Sequence, residues 1–282
     1  MEQNKVLEMI KQLEAYPNLG LLVDEVIKEL DIEMKDKALF PNLNNQQKLQ
    51  VIFQQKANQH EDHKASIYLS TSGEVIKDFN VCKGVWNPEI TSALYHACYL
   101  YHNNERLFSG KTVLDMGAGT GLMGIVMALY GAKRVLLSDI SFPAIINCSQ
   151  NIRQFNLKKI VCAICGDLFE SIESKLKGSL DKFDFIVFNQ PFFGDDPLPG
   201  DTISASMLDS GDLIKRFLQE APKYLNPGGI IMMPFYDIAG ETNNPVIQGP
   251  KYGFDVKTTF STNTNTIIQS GKITIHELTL KS

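Results

Sequence analysis

From Lys111 onward, short runs of β-branched and apolar residues alternate with stretches of helical periodicity. No other feature of the chain restricts its fold as strongly. Repeated strand–helix–strand units build a mostly parallel sheet, because each crossover needs a helix to carry the chain back over a sheet face. Seven strands are expected: Thr112 to Met116, Arg134 to Asp139, Ile160 to Cys165, Phe183 to Asn189, Gly229 to Phe235, Phe254 to Phe260 and Lys272 to Leu280. Only STNTNTIIQSG, with no convincing helical pattern, joins the last two, so they are expected to pair antiparallel as a hairpin at one edge. The expected class is α/β, a doubly wound Rossmann-like sheet.

Upstream, residues 1 to about 60 show helical periodicity in three stretches, broken at Pro17-Asn18-Leu19-Gly20 and Pro41-Asn42-Leu43-Asn44. IYLSTSGEVIKDF then reads as two short strands around Ser72-Gly73. The expected division is a helical cap over 1–64, a β-hairpin linker over 65–87 and the main domain over 88–282. Thr91 and Ser92 open a helix that runs through Tyr101, and its aromatic residues are read as packing.

Composition excludes several classes of protein. Hydrophobic residues make up 44% of the 282 positions and charged residues 21%, as in an ordinary globular chain. Apolar runs such as Ile230 to Phe235 fall far short of the roughly 18 residues of a bilayer helix, and MEQNKVLEMIKQLE has no signal-peptide core. A cytoplasmic protein is expected, without a membrane partner. Lys and Arg number 27 against 32 Asp and Glu, a net charge of −5 that lacks the basic excess of a phosphate-backbone binder. This weakens nucleic acid as a substrate without excluding it.

The five cysteines are expected as thiols. Cys162-Ala-Ile-Cys165 has redox or zinc spacing but lies in an apolar run read as a buried strand, where positions i and i+3 face opposite ways. No second pair completes a zinc site, and His60 and His63 read as a solvated helix end, so no metal is expected.

The strand TVLDM runs into Gly117-Ala-Gly119-Thr-Gly121, followed by the helical LMGIVMALYG. Glycine suits such a turn because positive φ and close approach of a ligand both exclude a side chain. Free amides and the positive dipole end of the following helix favour a carboxylate or phosphate nearby. Gly119-Thr-Gly121-Leu-Met-Gly124 fits the dinucleotide fingerprint, and Asp139 follows Gly119 by 20 residues, as a ribose-binding acid should. Asp115 separates the alternatives. A carboxylate there would repel a pyrophosphate and attract an α-amino group, which suits S-adenosyl-L-methionine.

With VLDMGAGTG and Asp139, the chain resembles the class I S-adenosylmethionine-dependent methyltransferases from about residue 85 to the end. The resemblance implies that Gly117, Gly119 and Gly121 line the methionine moiety beside Asp115. It further implies that Asp139 accepts from the ribose hydroxyls and that Asp167, in CGDLF, meets the adenine amino group.

The fourth strand ends in Asn189-Gln190-Pro191-Phe192-Phe193. This is similar to the Asn-Pro-Pro-Tyr/Phe motif of amino-methyltransferases that act on glutamine amides, adenine N6 or ribosomal-RNA guanine N2. The likeness implies N-methylation, with Asn189, Gln190, Pro191 and Phe192 as the catalytic set. An amide or exocyclic nitrogen has a delocalised lone pair, and acceptors for its N–H groups help it toward tetrahedral geometry. The Asn189 side-chain oxygen and the Gln190 carbonyl would be those acceptors, Phe192 would stack on the planar target, and catalysis would be mostly orientation. Gln190 departs from the usual proline, which fixes φ and stiffens the turn; it must be held by its surroundings and adds a polar group that could meet the substrate.

Phe193 and the acidic loop Gly194-Asp195-Asp196 follow at the expected substrate mouth. Asp195 there would repel phosphates and suit a neutral or cationic acceptor, a small molecule or a peptide segment. Val85-Trp86-Asn87-Pro88-Glu89-Ile90-Thr91 resembles the segment that closes over the cofactor in this group, making Trp86 either core or substrate-side lid. Thr91 is a helix cap, with a cofactor contact as its second role. The expected function is N-methylation of an amine or amide of a protein side chain or small molecule. A nucleic-acid base acceptor and a non-catalytic scaffold are the alternatives.

Overall fold

The structure, a computed structural model, describes residues 61–70, 72–88, 93–175, 182–197, 205–265 and 270–281. Most of the expected helical cap therefore lies outside the described residues, as does Thr91. The main sheet has seven strands: β3 (Thr112–Met116), β4 (Arg134–Asp139), β5 (Val161–Cys165), β6 (Phe183–Phe188), β7 (Leu225–Tyr236), β8 (Phe254–Asn265) and β9 (Ser270–Leu280). They lie in the order β5-β4-β3-β6-β7-β9-β8. β3 to β7 pair in parallel, while β9 runs antiparallel to both β7 and β8, as the terminal hairpin was expected to do.

Successive side chains on a strand point to opposite faces, and both faces are apolar here because helices cover both. Val113, Leu137, Phe185 and Val187 join the core shared with α1 (Ala93–His102), α3 (Leu122–Leu129) and α4 (Phe142–Gln154). Leu114, Leu136, Ile186 and Phe188 face the other way, toward α6 (Asp212–Glu220), which buries Ile214, Phe217 and Leu218. Each such fully buried side chain contributes about 1.5–3 kcal/mol. LMGIVMAL is apolar around its whole circumference because α3 is packed against β3 and β4 on one side and α1 on the other.

The hairpin expected as a linker is an antiparallel pair, β1 (His63–Tyr68) and β2 (Val75–Val81), built into the core through Ile67, Leu69 and Phe79. Asn147 and Asn151 of α4 fasten it, their side-chain oxygens accepting from the main-chain N–H groups of Cys82 and Asn80, each at 2.8 Å. His63 opens β1 instead of closing a helix. β5 is an edge strand, so Cys162 is exposed where the apolar run suggested burial. The helix Asp212–Glu220 gives way to a 3-10 turn, Ala221–Tyr224, in which Pro222 has no N–H to continue the ladder. β7 begins earlier than expected, at Leu225, and so takes in the Asn226-Pro-Gly-Gly229 turn. Between Asn104–Leu107 (α2) and Glu170–Lys175 (α5), no helix of the described residues is long and apolar enough to cross a membrane, nor is any elsewhere among them.

Candidate active site

β3 is the switch point of the sheet, since β4 and β5 lie to one side of it and β6 and β7 to the other. Ligands of doubly wound sheets bind beyond the carboxyl ends of strands at such a crevice. A cavity of about 280 Å³ opens there. The turns after β3, β4 and β6 line it, with Trp86, Tyr95 and Tyr236 on the wall opposite.

The glycine turn is built as its sequence requires. Gly117, Gly119 and Gly121 have φ of 64°, 55° and 82°, and no atom lies within 4 Å of where a Gly119 Cβ would stand. Gly121 caps α3. Gly124, the third glycine of the fingerprint, faces inward; a Cβ there would lie 1.9 Å from Leu137 Cδ2, so it sets the close approach of α3 to β4.

Two carboxylates hold this turn. Asp139 accepts from Gly119 N–H and Ser141 N–H, one on each oxygen at 2.8 Å, which leaves lone pairs on both for a further donor. Burial pushes its carboxyl pKa up, against the lowering effect of those two bonds. Asp115 is 2% exposed and accepts from Gly124 N–H at 2.8 Å through one oxygen. Burial raises its carboxyl to about 7, opposed by the Gly124 bond and assisted by the charge of Asp139. An adjacent cation would reverse that shift.

Asp167 also lines the cavity, and Arg216 of α6 donates to one of its oxygens. It is thus an ion-paired acid in the cavity lining.

At the end of β6, the Asn189 side-chain oxygen is sealed from solvent and accepts no hydrogen bond among the described residues. Such an orphaned acceptor costs roughly 1–3 kcal/mol. Gln190 is 2% exposed and donates through Nε2 to the Pro234 carbonyl of β7 at 3.1 Å. That bond and burial hold the residue where proline's ring is usual, while it lines the cavity and its Oε1 is buried without a hydrogen-bond partner among the described residues. Pro191 is buried, and Phe192 is half-buried with its ring edge to Phe235 at a centroid distance of 5.8 Å. Phe193 is buried and sets the wall, its N–H donating to the Met207 carbonyl and its own carbonyl accepting from Asp209 N–H, both at 3.0 Å. Trp86 packs on the cluster beneath Phe192 and also lines the cavity, so it is core and wall at once. Asp195 is exposed and outside the lining, its carboxylate accepting from the next N–H, Asp196, at 2.9 Å.

Among the lining residues that the sequence reading did not single out are Tyr95 and Tyr236. Tyr95, read there as packing, is 2% exposed and lines the cavity, yet its hydroxyl has no hydrogen-bond partner among the described residues. Tyr236 closes β7, a position that the rule about strand ends could have found.

The charge of the lining is one-sided. Three aspartates contribute to it and no Lys, Arg or His does among the described residues. That set fits a positively charged ligand and opposes a pyrophosphate, which would meet Asp115 and Asp139 without a compensating cation.

Comparisons with known proteins agree with this geometry. A release factor glutamine methyltransferase of Clostridium acetobutylicum is 34% identical over 184 residues, 60% of each chain. A ribosomal protein uL3 glutamine methyltransferase of Francisella tularensis is 31% identical over 132 residues, 43% of this chain and 40% of that one. Among the first curated relatives, the matched stretch spans 40% to 64% of the relative's own length. In fold, the chain is similar to the T. thermophilus 16S rRNA N2 G1207 methyltransferase, solved with AdoMet and guanosine. The TM-score is 0.55 and the identity 18%, over 79% of this chain and 51% of that one. The profile of a methyltransferase domain matches residues 107–271, more than half of the sequence, and the chain therefore belongs to that methyltransferase family.

Proposed function

We propose that the chain is an S-adenosylmethionine-dependent N-methyltransferase whose acceptor is an amide or amine, a protein side chain first and a small molecule second. The observation that carries this reading is the cavity's lining, in which Asp115 and Asp139 have no basic partner among the described residues. S-adenosylmethionine carries an ammonium and a sulfonium, and when bound it supplies an electrophilic methyl group. Asp115 would hold its cationic amino acid end, the open Gly119 turn its main-chain approach, and Asp139 the ribose hydroxyls. Asp167 would meet the adenine amino group.

The acceptor side is the work of β6. The orphaned Asn189 oxygen would accept an N–H of the target, with the Gln190 carbonyl as the second acceptor and Phe192 as the planar surface. Holding the nitrogen by both hydrogens directs its lone pair at the methyl group and supplies orientation without a strong base. The glutamine-directed names of the relatives support an amide acceptor, and the acidic lining disfavours a phosphate-rich one.

The test is transfer of labelled methyl to a release-factor protein and, separately, to ribosomal RNA. Label on a glutamine side chain, located by mass spectrometry, is the expected result; label on an RNA base alone would overturn the acceptor assignment.

A further inference from the structure

A second cavity, about 580 Å³, lies along α1 between that helix and the edge strand β8. Tyr95 belongs to its wall as well as to the first cavity's. From there Tyr99 and His102 follow at spacings of four and three residues on one side of α1, and Arg106, on the short helix α2 just beyond it, joins the same wall. Across from them, the pairing register of β8 with β9 shifts between Thr258 and Phe260, a bulge of the kind that re-aims side chains beside sites.

The polarity of this cavity is the opposite of its neighbour's. Its one nearby carboxylate, Glu277, accepts from Arg106 Nη1 at 2.9 Å and Nη2 at 2.6 Å, and from the Tyr99 hydroxyl at 2.9 Å. That leaves the carboxylate neutralised. Arg106 still holds its Nε–H and one Nη1–H uncommitted out of five donors. Lys257, exposed on β8, stands opposite Glu277 in the pairing register and its charge acts on that carboxylate without a direct ion pair among the described residues, so Arg106 and Lys257 together exceed Glu277 by one positive charge. The Tyr99 and Phe260 rings, 6.2 Å apart between centroids, supply an aromatic wall. The Tyr95 hydroxyl is buried without a partner among the described residues.

From this arrangement we propose that the cavity is a second small-molecule site, taking a planar organic anion such as an aromatic carboxylate. The anionic group meets Lys257 and the free donors of Arg106, the flat part lies against Tyr99 and Phe260, and Tyr95 closes the inner end. The assignment does not depend on which reaction the first cavity supports.

Benzoate is the probe, titrated calorimetrically into the whole chain, with benzamide as its uncharged isostere and inorganic phosphate as an anion without a ring. Saturable benzoate binding is expected, with benzamide and phosphate each at least about tenfold weaker. Lys257→Glu and Lys257→Ala, at an exposed position, should weaken benzoate by at least about tenfold and about threefold respectively. Asp139→Ala, which alters only the first cavity, should leave benzoate affinity unchanged. No saturable binding, equal binding of benzoate and benzamide, or benzoate affinity indifferent to Lys257 but lost with Asp139→Ala would each overturn the site. Arg106 is unsuited to the test because its removal would strand Glu277.

Discussion

The two cavities share the Tyr95 wall yet are opposite in sign. One is lined by three aspartates, of which Asp167 pairs with Arg216, and by no basic residue among the described residues; the other sets Arg106 and Lys257 against the carboxylate Glu277. A net charge of −5 conceals this separation, because local potential follows where charges are folded and not how many there are. The difference teaches that ligand class is read from a lining, charge by charge, and that neighbouring sites can select opposite ions a helix turn apart.

The largest effect that would sharpen this contrast is expected at Asn189. Asn189→Ala should lower kcat by about 10²–10³-fold, as loss of a preorganised polar group does, with S-adenosylmethionine and benzoate affinities unchanged. Equal losses in cofactor affinity would place Asn189 on the cofactor side instead. Asp139→Ala comes next. Removing an acceptor of two charge-assisted bonds should weaken S-adenosylmethionine by about 3 kcal/mol, on the order of 100-fold in calorimetric affinity, and wild-type affinity would remove the ribose role.

Asp115 offers a smaller, pH-linked effect. Burial holds its carboxyl at about 7 in the folded protein, above the usual carboxylate range, so it favours the protonated state between the two values. A cationic ligand next to it lowers that pKa and releases a fraction of a proton at pH 7. Titration in buffers of different ionisation heat should detect the release, and Asp115→Asn should abolish it while costing about tenfold in affinity. Proton uptake by the wild type would contradict the assignment.

The smallest effect concerns α1, the helix that carries the shared wall. His96 is fully buried with neither ring nitrogen bonded among the described residues, and burial pushes its pKa down to about 3. Its imidazole binds a proton near pH 6.5 only when unfolded, so its contribution to stability falls as pH drops below that, by up to about 1.4 kcal/mol per unit. His96→Leu should gain about 1 kcal/mol at pH 7, from the loss of unsatisfied groups, and the gain should widen toward pH 4 in urea unfolding. A gap that stays constant with pH would mean that His96 is protonated in the folded state.

What was legible in the sequence follows from the same geometry. Asp115, Asp139 and Asn189 stand at or just past the carboxyl ends of strands, so finding β3, β4 and β6 by their β-branched runs was enough to bring them to one crevice. The antiparallel edge hairpin was equally readable from a missing crossover helix. The second cavity was not. Arg106 and Glu277 are 171 residues apart, and nothing local marks a helix face and an edge strand as neighbours. Tyr95 was missed because an aromatic at helical spacing is equally suited to a core, and only its unpartnered hydroxyl distinguishes it. Cys162 was misplaced for a related reason: an apolar run shows a strand but does not show that the strand lies at the edge.

The central claim is that the acidic cavity selects a cationic cofactor. The most direct measurement is calorimetric titration of the whole chain with S-adenosylmethionine and, separately, with NADH. The account predicts stoichiometric binding of S-adenosylmethionine in the micromolar range, about −8 kcal/mol, with none by NADH. Binding of NADH, or its displacement of S-adenosylmethionine, would contradict it, because a pyrophosphate would then be tolerated between Asp115 and Asp139.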